Sequence, residues 1–430
     1  MKKAAFTICA KNYIGLALVL EKSIKEYNED IEFFIFVADE IIAEDKIINL
    51  PKNVLVAKDL IGINPKTWTQ MSFKYDLTEF CTAIKPSCFK YMFEKINADR
   101  CIYFDPDILV FDSLDCIYNN LIEKSIMVTP HITTIETKYT GKLSERNLFY
   151  SGMFNLGFLG LKRDNVSSKM LDWWENRLED KCFQNMMENY FTDQKWMDFL
   201  PSFFPNDLLV SSNLGLNVAP WNFYERKVSE RDEKFFISNR ITQNESYEFP
   251  LIFIHFSGFN YKFLIDDKVS QGNIKDLEIY ADFKYPIEKY INYLKQSDFF
   301  KYYQLKYSYN FFSNGIPISI IYRKLFRRLL EDGKIDSNPF DSGSIFYKQL
   351  KKGKVLKENL LATDKVSITS NNYNVEKKAI LINKMLYFIF RLVGVNKFFL
   401  LTRLMRLYSK TENHIYLIDK SYFKNFKFRS

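Results

Sequence analysis

Histidine is nearly absent from this chain of 430 residues: three stand among 41 phenylalanines and 27 tyrosines. The six cysteines (Cys9, Cys81, Cys88, Cys101, Cys116, Cys182) form no Cys-X-X-Cys pair and lie in apolar surroundings. So few imidazoles leave a structural zinc site short of ligands, and free buried thiols in a reducing cytoplasm are the expectation. No run reaches the roughly 18 uninterrupted apolar residues of a membrane span. No internal repeat of fixed period occurs. The N-terminal Met1-Lys-Lys-Ala-Ala-Phe-Thr-Ile-Cys-Ala resembles a signal peptide only superficially. Its apolar part is about seven residues long and runs straight into Lys11-Asn12-Tyr13, so it reads as a core strand. What remains is a globular protein, soluble or lying on a surface. With 47% hydrophobic residues it has ample core for one large domain with appendages, or for two to three domains.

Charge is unevenly placed. Residues 376–430 hold twelve Lys or Arg against Glu376, Glu412 and Asp419, a balance of +9. The whole chain is +8, so residues 1–375 sum to −1. The basic residues cluster in an apolar tail without a nucleic-acid-binding motif, which argues against nucleic acid as a partner.

Tyr103-Phe104-Asp105-Pro106-Asp107 is the most informative stretch. The apolar run Cys101–Phe104 reads as a buried strand, and Pro106 prevents regular pairing beyond its end. Two carboxylates one residue apart at a strand end can both face one hard cation, Mn²⁺ or Mg²⁺, which takes oxygen ligands and keeps positions open for phosphate. Residues 4–10 and 33–38 read as strands and 13–27 as a helix. Thr78 is expected to cap a helix through Ile96, and 167–181 is expected to be helical. The alternation predicts an α/β fold with a mostly parallel sheet flanked by helices, ligands lying at the carboxyl ends of the strands beside Asp39, Asp105 and Asp107. Gly152–Leu161 mixes glycine with large apolar residues, a pattern for a strand approached closely by another backbone or by a ligand. Leu251–His255 reads as a buried strand ending at Phe256-Ser257-Gly258. His255 there can offer a nitrogen to a metal, and Gly258 lets the backbone approach a phosphate.

Several segments taken in order resemble a known family. They are Ala10-Lys11-Asn12-Tyr13, Thr82-Ala-Ile-Lys85-Pro86, Asp105-Pro-Asp107, Phe154-Asn155-Leu-Gly157, Asp193-Gln194, Asn217-Val-Ala-Pro-Trp221-Asn222, His255-Phe-Ser-Gly258-Phe and Phe311-Phe-Ser-Asn-Gly315-Ile-Pro317-Ile. Over about residues 1–335 the chain resembles bacterial GT-A glycosyltransferases related to glycosyltransferase family 8. The resemblance implies a Rossmann-like GT-A fold with a helical C-terminal extension. It also implies a metal-dependent enzyme that moves a sugar from a nucleotide sugar, a UDP-sugar, with retention, to a cell-surface glycan or lipid-linked acceptor. Asp105, Asp107 and His255 would ligate Mn²⁺ or Mg²⁺. Ala10, Asn12, Tyr13, Asp39, Lys85, Asp105 and Gly258 would bind the nucleotide sugar, and Asp193, Gln194 and Asn155 would surround the transferred sugar as catalytic residues. Trp196, Trp221 and Asn222 are the acceptor-side candidates. Asp193 as a plain helix N-cap, Asn155 as a core amide, Lys85 as a surface charge, and Trp196 and Trp221 as core residues are the simpler alternatives.

Two other functions share parts of this pattern. A sugar-phosphate nucleotidyltransferase would need a Gly-rich loop after the first strand, where Cys9-Ala-Lys-Asn-Tyr-Ile stands. A non-catalytic nucleotide-sugar or glycan-binding protein would not need Asp105, Asp107 and His255 together. The expected organisation is a catalytic domain over 1–265, its helical extension over 266–335, an irregular linker over 336–375, and a basic amphipathic tail over 376–430. If the tail is helical, Lys377, Lys384 and Arg391 share a face at seven-residue spacing, and Gly394-Val-Asn396 interrupts before Arg403, Arg406 and Lys410. Two destinations stay open for 377–410: an anionic membrane surface at the inner membrane face, or packing on the chain's own body or a second subunit.

Overall fold

A computed structural model describes residues 1–45, 50–242, 247–274, 276–335, 337–356, 375–424 and 427–428. Its contacts divide the chain into two units, one of residues 1–68 and 77–307, the other of 69–76 and 308–430.

Nine of the first unit's short strands make the central sheet and the strand pair beside it. They are β1 (Lys3–Cys9), β2 (Glu32–Val37), β3 (Val54–Val56), β4 (Arg100–Phe104), β5 (Ile108–Val110), β6 (Ile126–Val128), β7 (Phe158–Lys162), β8 (Leu208–Val210) and β9 (Phe253–His255). Seven form one sheet in the order β8-β6-β7-β4-β1-β2-β3. The pairs β1/β2, β1/β4, β2/β3 and β6/β8 are parallel, and β7 runs antiparallel to both its neighbours. This is the mostly parallel α/β sheet that the strand–helix alternation predicts. β1 and β4 are almost wholly buried, in keeping with their unbroken apolar runs between covered faces. Helix α1 (Ile14–Tyr27) lays Ile14, Ala17, Leu20 and Ile24 into this core.

Two expectations about helices change. The helix expected from Thr78 to Ile96 is two: α2 (Leu77–Ala83) and α3 (Lys85–Glu94). Pro86 lies in the first turn of α3, where its missing N–H costs nothing, whereas inside a continuous helix it would remove one bond and crowd a carbonyl. Thr78 lies inside α2 rather than capping it, and its carbonyl accepts from Thr82 Oγ1 at 2.9 Å. The helix expected over 167–181 is α4 (Asn165–Lys181), capped by Asp164, whose side chain accepts from the amides of Val166 and Ser167.

The second unit carries α5 (Ile320–Glu331), α6 (Ile345–Lys352) and α7 (Val375–Tyr408). Part of the segment read as irregular is thus a helix, and Phe346, Tyr347 and Leu350 of α6 are buried with Phe73, Phe312, Tyr322, Phe326, Ile415 and Tyr422. Residues 336 and 357–374 of that segment lie outside the described residues. α7 bends where expected, at Gly394, whose φ of 74° and ψ of 171° leave the helical region. Residues 378–408 are long and apolar enough, by length and composition alone, to cross a membrane, although charges interrupt the run. All six cysteines are free thiols.

Arg323 organises the second unit. Its buried guanidinium donates to the carbonyls of Ser72 (3.1 Å), Phe73 (2.7 Å), Tyr75 (2.8 Å) and Tyr309 (2.6 Å). Arg323→Met removes these donors, at about 1–3 kcal/mol for each buried acceptor that neither water nor another donor reaches. We expect a loss of at least about 3 kcal/mol in denaturant unfolding. A loss below about 0.5 kcal/mol would mean the carbonyls are satisfied in other ways.

Candidate active site

The site begins with strand register. β9 pairs antiparallel with β5, and His255 stands opposite Ile108, beside Asp107. Asp105 follows the last residue of β4, its amide donating to Gly157 O at 2.8 Å. Asp107 O accepts from the amide of Phe256 at 2.8 Å. The backbone therefore fixes both carboxylates and the imidazole together. One ligand atom from each of Asp105, Asp107 and His255 lies within 4.8 Å of the others. His255 Nε2 is 3.0 Å from Asp107 Oδ1 and 3.6 Å from Asp105 Oδ2.

A shell of hydrogen bonds orients these groups. His255 Nδ1 is 3.2 Å from Asn155 Oδ1. Asn155 Oδ1 also faces the amide of Gly157 (3.0 Å) and Asn217 Nδ2 (3.1 Å). An amide N–H only donates, so the atom facing it is the oxygen, and Nδ1 must carry the proton that reaches it. Nε2 is then the nitrogen turned to the carboxylates, the tautomer a metal ligand requires. Tyr103 Oη donates to Asp105 Oδ1 (2.5 Å) and Tyr261 Oη to Asp107 Oδ2 (3.1 Å). Sequence reasoning missed both tyrosines. Tyr103 had a signal, since it lies in β4, which ends just before Asp105, whereas Tyr261 comes from a short helix, Tyr261–Ile265, distant in sequence.

Burial resists a charge on His255, but the facing Asp107 and Asp105 outweigh it and raise its pKa above the ordinary imidazole value. Burial raises the Asp105 carboxyl, with Asp107 adding to the rise against the pull of Lys85 and His255. Burial pushes Asp107 the same way, yet His255 and the Tyr261 hydroxyl overcome it and hold the carboxyl below its usual range. A proton on His255 thus occupies the place where a divalent cation would supply the same positive charge.

Beside this triad lies a cavity of about 290 Å³ lined by Ile8, Cys9, Ala10, Tyr13, Leu77, Thr78, Cys81, Thr82, Tyr103, Asp105, Pro106, Asp107 and Tyr261. Ala10 and Tyr13 therefore line it, at the carboxyl end of β1. Asn12 Oδ1 is buried with no hydrogen-bond partner among the described residues. Asp39 does not line the cavity. It is fully buried, and Oδ1 accepts from the amide of Lys11 at 2.8 Å, which fixes the turn carrying residues 10–13. Gly258 has a φ of +74°, and a Cβ there would stand 2.9 Å from Gln271 Nε2, so glycine is required for the turn after β9.

Lys85 is buried, not a surface charge: Nζ donates to Asp193 Oδ2 (2.6 Å) and Leu156 O (2.9 Å) and lies 4.1 Å from the Tyr103 ring centroid. Asp193 occupies an N-cap position, but its side chain makes no capping bond. It pairs with Lys85 and accepts from Thr192 Oγ1 (3.1 Å). Gln194 Oε1 accepts from Leu156 N (3.0 Å) and Asn155 Nδ2 (3.3 Å), and its Nε2 donates to Ser151 O (2.8 Å). Gln194 and Asn155 are thus joined to each other, and Asn155 holds the His255 ring.

The three acceptor-side candidates are not brought together. Trp221 is buried, its ring edge-on to His255 (centroids 5.3 Å) and to His131 (5.4 Å), and its Nε1 has no partner among the described residues. Burial lowers the His131 pKa to about 4, so this second imidazole is neutral at pH 7. Asn222 is fully buried and folds the turn around itself, accepting from Ala219 N (2.8 Å) and donating to Asn217 O (3.1 Å) and His131 O (3.3 Å). Trp196 stacks on Tyr190 (5.9 Å) and donates to Lys181 O (3.1 Å), in a half-exposed aromatic group with Trp173.

No family model matches the chain. Two uncharacterized proteins of Bacillus subtilis (strain 168) are similar in sequence. YfnF is 24% identical over 262 residues, which is 60% of this chain and 82% of that protein. YfnD is 24% identical over 259 residues, 59% of this chain and 76% of that protein. Among solved structures, the galactosyltransferase LgtC in complex with donor and acceptor sugar analogs aligns at a TM-score of 0.40 and 18% identity, over 69% of this chain and 96% of that one. Mouse xyloside xylosyltransferase 1 aligns at 0.32 and 12%, over 51% and 88%. These likenesses are distant, and the chemistry of the site rests on its own geometry.

Gly157, just before β7, is closely approached by a side chain, the His255 imidazole, rather than by the backbone or ligand expected. A Cβ there would stand 2.4 Å from Cε1 and 2.6 Å from Nδ1 of His255. Gly157→Ala must push the imidazole off its bond to Asn155, and such losses around a ligand cost about 10- to 100-fold in metal affinity. Calorimetric titration with Mn²⁺ measures this, and unchanged affinity would show that the ring is not held from behind as described.

Proposed function

We propose that this protein is a divalent-metal-dependent glycosyltransferase of GT-A type. It would transfer a hexose from a nucleotide sugar, a UDP-sugar, to a cell-surface glycan or lipid-linked acceptor. The observation that carries the reading is the Asp105-Asp107-His255 cluster at the carboxyl end of β4, opening on the cavity at the end of β1. Two carboxylates and one imidazole with a free Nε2 suit Mn²⁺ or Mg²⁺ and leave room in a six-coordinate shell for diphosphate oxygens. Such a cation supplies Lewis-acid stabilisation to the departing diphosphate.

The remaining work falls to the chain's own groups. The Ala10–Tyr13 turn, with Ala10 and Tyr13 on the cavity wall, would meet the nucleoside, and Asn12 Oδ1 is a candidate acceptor there. Gly258 lets the turn after β9 come close to the diphosphate. Lys85 carries a buried positive charge between Asp193 and the Tyr103 ring, where it offsets the negative charge of donor and carboxylates. Asp193 is committed to Lys85 by a 2.6 Å ion pair, which leaves it the role of an electrostatic partner to a positively charged sugar. That favours retention over deprotonation of the acceptor by Asp193. Asn155 and Gln194 hold the imidazole and the Leu156 backbone, as positioning residues beside the transferred sugar. Trp221 and Trp196 are the acceptor-side candidates that keep exposed or unsatisfied groups.

A screen of sugar nucleotides by thermal shift with and without Mn²⁺, followed by assay of hydrolysis and transfer, tests this reading. Asp105→Ala and Asp107→Ala are each expected to abolish Mn²⁺-dependent turnover with the fold intact. Full activity of either variant in the presence of a chelator would sink the metal-site assignment. A folded protein that binds a sugar nucleotide but never turns it over would favour the non-catalytic binder.

Asp193→Asn keeps the shape and removes the charge. It is expected to lower turnover by at least about a hundredfold, the scale of losing a positioned electrostatic group, with nucleotide binding near wild type. Normal turnover together with a lower melting temperature would assign Asp193 to structural pairing with Lys85 alone.

A further inference from the structure

The apolar surface of α7 is exposed along most of the helix. Ile380, Leu381, Met385, Phe388, Leu392, Phe399 and Leu400 are each 56% exposed or more, and their neighbours along the helix are little better covered. Six cations, Lys378, Lys384, Arg391, Lys397, Arg403 and Arg406, are exposed among them. No Asp or Glu occurs from 378 to 411. Contiguous apolar surface of this kind marks a contact site rather than a water-facing helix.

We propose that α7 is an interfacial membrane anchor that binds anionic phospholipid as two amphipathic arms, 375–393 and 395–408, hinged at Gly394. The charge pattern selects the occupant. A second copy of this chain would bring six cations against six, with Glu376 the one carboxylate in the helix to pair them. An anionic lipid surface satisfies the cations and takes up the apolar side chains at once. Crossing the bilayer is disfavoured by the same cations. They recur at every depth of both arms, where few could reach a headgroup, and the break at Gly394 would strand backbone groups in hydrocarbon.

The local geometry fits two arms rather than one rod. The Phe390 and Phe398 rings meet edge-on across the bend, with centroids 5.4 Å apart. The second arm is rooted in its own unit. Asn413 Nδ2 donates to Leu407 O (2.7 Å), His414 Nε2 lies 2.6 Å from Tyr408 O, and Glu412 pairs with Arg327 at 3.4 Å. Ile415 and Ile418 are buried in the core of that unit. Exposed arms on a fixed root let lipid binding proceed without unfolding anything. The inference is independent of which sugar, if any, the first unit transfers.

Co-sedimentation of the full chain with vesicles tests it. One set is phosphatidylcholine alone, and in the other about a third is replaced by phosphatidylglycerol. At least tenfold stronger partition onto the anionic vesicles is expected, weakening as salt rises and released by alkaline carbonate. The triple variant K384E/R391E/R403E changes only exposed side chains and should lose that binding while keeping its circular dichroism and its melting temperature. Protein left in the supernatant with anionic vesicles at low salt overturns the proposal. So does equal partition onto both vesicle types that resists carbonate, which would make α7 a span. A dimer in sedimentation equilibrium that dissociates in L381S/L400S, with no vesicle binding, would assign the surface to a second copy.

Discussion

Two like charges one residue apart, Asp105 and Asp107, are what the surrounding structure must reconcile. At 4 Å such charges repel by several kcal/mol in a partly buried setting. The fold answers with positive charge and donors from four separate elements. His255 comes from β9, Lys85 from α3, the Tyr103 hydroxyl from β4 itself, and the Tyr261 hydroxyl from the short helix beyond β9. The consequence is asymmetric. Asp107 receives both the imidazole and a phenol and is held ionised, whereas Asp105 is raised by burial and by its neighbour. The carboxylates that raise the His255 pKa would equally favour a cation at its Nε2. Cation binding and proton release should therefore be linked.

Much of the centre was legible in the sequence because it depends on strand ends. The run Cys101–Phe104 announces a buried strand, so Asp105 and Asp107 had to fall at its carboxyl edge. Leu251–His255 announces another, which leaves His255 at its end. What periodicity could not supply was that β9 pairs with β5 in the register that sets His255 beside Asp107. That fact is tertiary, and so is the role of Asn155. As a residue it reads equally well as a sugar ligand or a core amide. Only the three donors converging on its Oδ1 show that it sets the tautomer of His255. Asn222 shows the same limit from the other side, since its neighbours in sequence gave no sign that all its bonds turn inward.

The fold divides along similar lines. β1, α1 and β2 follow from apolar runs and helical spacing, and α4 was expected over 167–181, two residues short of its observed start at Asn165. The break between α2 and α3 was present in Pro86, yet a residue that suits the first turn of a helix also survives near the start of a longer one, so local chemistry alone left both readings. The second unit was the least legible part. Its core joins Phe73 to side chains beyond residue 311, and Arg323 gathers carbonyls from Ser72 to Tyr75. No local pattern announces a partnership across some 250 residues of chain. α6 was hidden because a short amphipathic helix between Ser, Asn, Gly and Lys residues looks like the loop around it.

The placement of charge joins these observations. Residues 1–375 sum to −1, and the excess of the chain lies beyond them. A nearly neutral body projects no strong field, and at physiological salt any field fades within about 8 Å. If the first unit binds the anionic donor proposed above, capture would come only at contact range, through a cation at Asp105, Asp107 and His255, buried Lys85 and the backbone at Gly258. Lys85 is already paired with Asp193, so the positive charge left over for a diphosphate is small until a cation arrives. On this reasoning donor binding depends on the metal more than on any side chain, and the basic tail is left with a different surface to meet.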